Sequence, residues 1–144
     1  MNFIDTNKNL ISLASIILLF SFLASLILTS FGSVEVKSLK LNAENGQYVI
    51  YDLYKPKSAS PESKAPFIAI IPGFQRSKEA LSNIAIELSR RGMAVALIDP
   101  YAQGMSSSSI SRIAATTQGY GMFALVDYAY EGNFSFVDTK KIAS

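Results

Sequence analysis

Two short loops hold the residues best suited to chemistry in this chain. One is Pro72-Gly73-Phe74-Gln75-Arg76-Ser77, which leaves an apolar run; the other starts at Asp99-Pro100-Tyr101-Ala102-Gln103-Gly104 and leaves a second apolar run. In the first loop Gly73 lets the backbone approach a ligand with no side chain in the way. The amides that follow it can donate to an anion or to a developing oxyanion. Any strand-to-helix turn also accommodates Pro-Gly, so spacing alone leaves a structural reading open beside the functional one. Asp99 likewise has two readings, a catalytic carboxylate or a cap that binds backbone amides and shapes its loop, and the cap is the commoner at a strand end. Ser106 to Ser109 are candidate nucleophiles only with a base in hydrogen-bond reach. The chain has no histidine and no Ser-x-x-Lys, so these serines read as solvated loop.

Other chemistries are narrowed by composition. Without cysteine there are no disulfides or thiolate nucleophiles within the chain, and without histidine zinc and copper lose their usual ligands. No metal and no cofactor are expected. The 13 basic and 11 acidic side chains are interspersed and form no footprint for nucleic acid. Gly119 and Gly121 flank Tyr120, but they lack the preceding strand and third glycine of a dinucleotide turn. Asn133-Phe134-Ser135 is a formal glycosylation sequon of a kind frequent by chance.

The elements that must position the loops follow from hydrophobic patterning. No charge occurs from Asn9 to Ser33, and Leu10 to Phe31 is almost wholly apolar. About 20 such residues let a helix cross roughly 30 Å of hydrocarbon with its own hydrogen bonds satisfied. The expected layout is a tail over 1–9, a transmembrane helix or signal anchor over 10–32 and a domain over 33–144. A cleaved signal peptide is the rival reading, although signal cores usually run to only 7–15 residues. Lys8 on one side and Lys37 and Lys40 on the other leave orientation open, with an extracytoplasmic domain favoured.

Beyond the apolar segment, Ser33–Leu41 and Gln47–Tyr54 are β-prone runs joined by a turn containing Asn45-Gly46, which predicts an antiparallel hairpin at a sheet edge. Lys55 to Pro66, with three prolines, reads as an exposed loop. Phe67–Ile71 and Met93–Ile98 show no polar alternation, as suits parallel strands buried on both faces. Leu81, Ile84, Ala85 and Leu88 mark a helix starting near Ser77 and stopping at Gly92. Met122, Leu125, Val126 and Ala129 mark a second helix, and Val137 onward begins a third parallel strand. This order predicts an α/β layered fold with ligands at the C-terminal ends of the parallel strands, where both loops lie.

Taken in order, these elements resemble the amino-terminal half of the α/β-hydrolase fold. Phe67 to Gly92 is similar to the family's third strand, oxyanion loop and first helix, with Pro72-Gly73 where many members have His-Gly. Met93 to Ser109 resembles the fourth strand and an Asp-x-x-Gly-x-Gly-x-Ser loop through Asp99, Gly104 and Ser106, with Ala102 replacing the first glycine. Gly119 to Ser144 is similar to the next helix and the lead-in to the fifth strand.

The resemblance implies an incomplete α/β-hydrolase sheet, an antiparallel hairpin followed by parallel β-α-β-α, behind one transmembrane helix. It implies a membrane-anchored serine hydrolase acting on an ester, amide or related acyl bond of a small molecule or peptide. Phe74 would contribute its backbone N–H to the oxyanion hole, with Gly73 and Gln75 contacting substrate. The elbow Gly-x-Ser-x-Gly, the acid and the histidine would follow Ser144, which does not itself match the nucleophile position. The chain is therefore expected to be part of a longer protein and inactive alone. The alternative from another class is a non-catalytic, membrane-tethered domain that binds a partner or lipid.

Overall fold

The computed structural model describes residues 3–43, 46–108 and 112–144. Asn45 of the predicted hairpin turn, and Ser109 of the serine run, lie outside them. The chain opens with α1 (Phe3–Leu28), a 26-residue helix. Within it lies an apolar stretch, Asn7–Ile27, whose most hydrophobic 18 residues have a mean hydropathy of 2.6 and are not buried against protein. The helix begins earlier than the apolar run, because intrahelical hydrogen bonds carry it through the polar residues before Leu10. It stops at Leu28, where Ser30 and Phe31 turn into the left-handed region at φ 49° and 55°. Phe31 N–H returns to Leu26 O at 2.6 Å and Val34 N–H to Thr29 O at 3.0 Å, so helix and sheet are joined by a tight hydrogen-bonded turn.

Five strands form one sheet: β1 (Val34–Asn42), β2 (Tyr48–Pro56), β3 (Ala65–Ile70), β4 (Ala94–Ile98) and β5 (Val137–Ala143), in the order β1-β2-β4-β3-β5. The hairpin is antiparallel, with Val34 opposite Pro56 and Asn42 opposite Tyr48, and β1 is an edge as predicted. Antiparallel pairing continues from β2 to β4 (Tyr51 opposite Ile98), while β3 runs parallel to both β4 and β5.

Two helices cover opposite faces. α2 (Ser82–Arg90) brings Ala85, with Ile86, Leu88 and the preceding Leu81, against Val34, Tyr54, Val95 and Leu97. α4 (Met122–Tyr130) brings Leu125 and Ala129 against Val49, Phe67, Ala96 and Ile98. A short α3 (Arg112–Thr117) precedes it. Every residue of β4 is buried, as its unbroken apolar sequence requires. β3 departs from that expectation: Phe67 and Ala69 are buried but Ile68 and Ile70 only partly. The reason is that α2 lies over β4 and β2, and α4 over β3 and β5, so one face of β3 is only half covered.

Two features of α2 also differ from the periodic reading. Ile84 is exposed at 45%, whereas Ser89 on the sheet-facing side is buried and its hydroxyl donates to Tyr54 O at 3.1 Å. The α-helix begins at Ser82 instead of near Ser77, after a 3₁₀ turn over Lys78–Leu81. That turn is tied down because Lys78 N–H is bound by a side chain from the β4 loop, described below. Phe134 from the sequon is buried in an aromatic cluster, 5.6 Å from Phe67 and 5.2 Å from Tyr128 between ring centres. Asn133 donates its amide to Tyr128 O and Glu131 Oε2, both at 3.1 Å.

Candidate active site

Because β3 and β4 are parallel neighbours, their C-terminal loops leave the sheet side by side. Asp99 joins them. Its side chain is buried, and its two oxygens are spent on backbone: Oδ1 accepts from Lys78 N–H at 2.8 Å and Oδ2 from Met105 N–H at 3.0 Å. Of the two readings the sequence left open, the loop-shaping cap is the one observed. Gly104 sits against this carboxylate with φ 54°, and a Cβ there would fall on the Asp99 carboxyl group. Only glycine lets the loop wrap its own cap so closely.

The charge on Asp99 is balanced by Lys78, buried to 4% exposure, whose Nζ lies 3.6 Å from Asp99 Oδ2, 3.7 Å from Asp52 Oδ2 and 2.7 Å from Glu79 Oε1. Burial pulls the ammonium pKa down, but the Glu79 hydrogen bond with the Asp52 and Asp99 charges outweighs it and leaves the pKa raised. The same bond from Lys78, helped by Ser77, depresses the Glu79 carboxyl to about 2. Lys78 was not singled out in the sequence, where it opens an amphipathic segment and resembles any solvated cation.

The serines are more engaged than a solvated loop. Ser106 Oγ donates to Asp99 O at 2.7 Å and accepts from Ile50 N–H at 2.8 Å; Ser107 Oγ accepts from Tyr48 N–H at 2.9 Å. They continue the pairing of β2 after β4 has ended, and no nucleophilic role follows from such contacts.

The first loop lies over this frame. Pro72 is buried, while Phe74 projects outward with 83% exposure. Gln75 adopts φ 60°, and Arg76 N–H closes the turn on Gly73 O at 3.2 Å and on Gln103 Oε1 at 3.0 Å. Among the described residues no acceptor meets the Phe74 N–H. Beside it opens a cleft of about 250 Å³ walled by Ile71, Gly73, Phe74, Pro100, Gln103 and Tyr120. Gly73 and Phe74 thus reach the cleft; Gln75 is not among its lining residues. Tyr120 arrives through the Gly-Tyr-Gly segment, where its φ is 54° and its carbonyl accepts from Tyr101 N–H at 3.0 Å. Gly121, at φ 96°, passes so close to Val49 and the Tyr101 ring that a Cβ would fall on Val49. The two glycines thus place a tyrosine at the cleft.

Gln103 and Tyr120 were missed by sequence reasoning. The only signals were a polar residue in the Asp99 loop and an aromatic between glycines, neither of which specifies a partner. Among the described residues no group of three or more His, Cys, Asp or Glu could hold a metal ion.

The sheet, loops and helices of this chain match part of the α/β-hydrolase fold. No family model and no curated protein matches it. A hypothetical protein from Pseudomonas aeruginosa aligns with TM-score 0.63 at 25% identity, over 76% of this chain and 34% of that one. The α/β hydrolase GrgF from Penicillium sp. sh18 aligns with TM-score 0.62 at 23% identity, over 75% and 36%. Acetyl xylan esterase 1 from Thermoanaerobacterium sp. aligns with TM-score 0.58 at 17% identity, over 76% and 39%. The chain spans about a third of the length of the first of these structures. At such identities the likeness establishes the fold.

Proposed function

We propose that this chain is the amino-terminal part of a membrane-anchored hydrolase that cleaves an ester, amide or related acyl bond. In this reading the Phe74 N–H donates to the oxyanion formed when a serine nucleophile attacks the carbonyl. The observation that carries it is that Phe74, a residue of the cleft wall where β3 and β4 end, has a backbone N–H that meets no acceptor among the described residues. Such a donor, fixed before charge develops, pays no reorganisation cost during reaction and is worth roughly 10²–10³ in rate. Arg76 N–H, shared between Gly73 O and Gln103 Oε1, ties the turn that carries this amide to the Asp99 loop. Gly73, at the cleft wall, and Gln75, which follows Phe74 in the same turn, are assigned to substrate. The apolar helix anchors the domain, on the extracytoplasmic side.

The nucleophile is assigned to sequence after Ser144, as are the acid and histidine. The test begins with the gene: a Gly-x-Ser-x-Gly within about ten codons of Ser144 is required by the family's elbow. A fluorophosphonate probe then distinguishes the products, labelling the longer protein at that serine and leaving the 144-residue chain unlabelled. Labelling of the shorter chain at any of its serines overturns the assignment. Alkaline carbonate extraction of cell membranes reads the anchor separately, since a spanning helix keeps the chain in the pellet.

A further inference from the structure

On the α4 face, away from the cleft, the first rungs of the β1–β2 ladder form a second pocket of about 410 Å³. Its floor is Leu39, Tyr51 and Leu53, its far wall Tyr128, Phe134 and Phe136, and its rim Lys37, Lys40 and Lys55 with a single acid, Glu35. Glu35 stands opposite Lys55 in the strand register. It lies 2.6 Å from Lys37 Nζ and 4.0 Å from Lys55 Nζ, so one carboxylate is shared between two cations. Lys55 also rests 5.1 Å over the Phe136 ring and Lys40 3.9 Å over Tyr48. Lys37 and Lys55 thus border an aromatic-walled hollow with one carboxylate between them, whereas the Lys40 ammonium rests on Tyr48, which is not part of the lining.

Its position narrows the ligand. Val34 follows the tight turn that ends α1, and Lys57 N–H donates to Ser33 O at 3.0 Å, fixing that end of the hairpin to the turn. Glu35 and Lys55 are one residue beyond Val34 and Pro56. At about 3.3 Å per strand residue, Lys55 lies about 3 Å past the Val34 rung and Lys37 about 10 Å, from where its long side chain can snorkel back toward the bilayer. The headgroup layer of a leaflet is roughly 5–8 Å deep beyond the hydrocarbon. A helix that spans the bilayer therefore delivers this rim to lipid phosphates, and the aromatic wall suits the apolar-polar boundary.

We propose that the pocket bordered by Lys37 and Lys55 binds the headgroup of an anionic phospholipid in the leaflet from which α1 emerges. The phosphate competes with Glu35 for Lys37 and Lys55. The inference rests on the reading of α1 as a membrane anchor.

The test places the full chain in nanodiscs of phosphatidylcholine alone or with added phosphatidylglycerol, and counts co-purified anionic lipid by native mass spectrometry after gentle delipidation. The wild type retains phosphatidylglycerol in preference to phosphatidylcholine. Each lysine near an anionic surface is worth roughly fivefold, so K37Q/K55Q lowers the retention constant about 25-fold. Glu35→Gln raises it, a gain that damaged folding does not produce. K140Q/K141Q, which removes two lysines on the opposite edge strand β5, leaves it unchanged. Equal losses in K37Q/K55Q and K140Q/K141Q, or no gain in Glu35→Gln, overturn the pocket. Displacement of the lipid by equimolar glycerol 3-phosphate assigns the pocket to a soluble phosphate and overturns the lipid. A chain that fails to enter nanodiscs and is extracted by carbonate refutes the anchor and this proposal together; one that inserts without selectivity refutes this proposal alone.

Discussion

Asp99 and Lys78 are joined twice, once through the Lys78 backbone N–H to Oδ1 at 2.8 Å and once through Nζ, 3.6 Å from Oδ2. One aspartate thereby fixes both the start of the helical segment after β3 and the loop after β4. The walls of the cleft hang on it, although it does not itself line the cleft.

Replacing that carboxylate should be costly. In Asp99→Asn one acceptor becomes a donor, which must face either the Lys78 or the Met105 N–H, and the buried ammonium loses a counter-charge. A buried pair broken on one side costs about 3 kcal/mol or more. Urea unfolding in detergent, followed by far-ultraviolet circular dichroism, should show that loss, and an Asp99→Asn midpoint equal to wild type refutes the capping role.

Gly104→Ala and Gly132→Ala both place a Cβ on a left-handed residue, at φ 54° and 81°. The backbone term is about 1–2 kcal/mol for each. Only at Gly104 does the Cβ also fall on Asp99; at Gly132 nothing lies within 4 Å. The Gly104 variant is therefore expected to lose clearly more stability in the same unfolding assay.

The pH dependence has two edges with opposite signs. Glu79 is depressed to about 2, chiefly by its hydrogen bond from Lys78, so its contribution is present above its ordinary value of 4.5 and is lost as pH falls toward 2. Tyr51 is pushed up to about 12 by burial, with Tyr128 adding to the shift, so its contribution is present below 10 and is lost as pH rises toward 12. Urea midpoints measured against pH should flatten below pH 4.5 in Glu79→Gln and between pH 10 and 12 in Tyr51→Phe.

Gln103→Ala removes the side-chain acceptor of Arg76 N–H while leaving Gly73 O in place. A neutral hydrogen bond contributes about 1 kcal/mol, which corresponds to roughly fivefold in local opening. Amide hydrogen exchange should accelerate by that factor at Arg76 and remain unchanged in the α4 core at Leu125. Uniform acceleration across both sites would indicate global destabilisation instead of a local tie between the two loops.

The sequence by itself determined the apolar helix, from an unbroken run long enough to cross a bilayer, and the hairpin, the buried run of β4 and the α4 stripe, from local patterning that burial then rewards. It placed Gly73 and Phe74 at a strand end, where the cleft does open. What it left undecided needed partners distant along the chain. Whether Asp99 reacts or caps depends on the Lys78 amide, 21 positions away. Whether Lys78 is solvated depends on Asp52 from another strand. The Gly-Tyr-Gly segment became a cleft wall because Val49 and Tyr101 leave no room for a side chain at Gly121. Such contacts are set by sheet order and loop packing, so only the tertiary structure decided them.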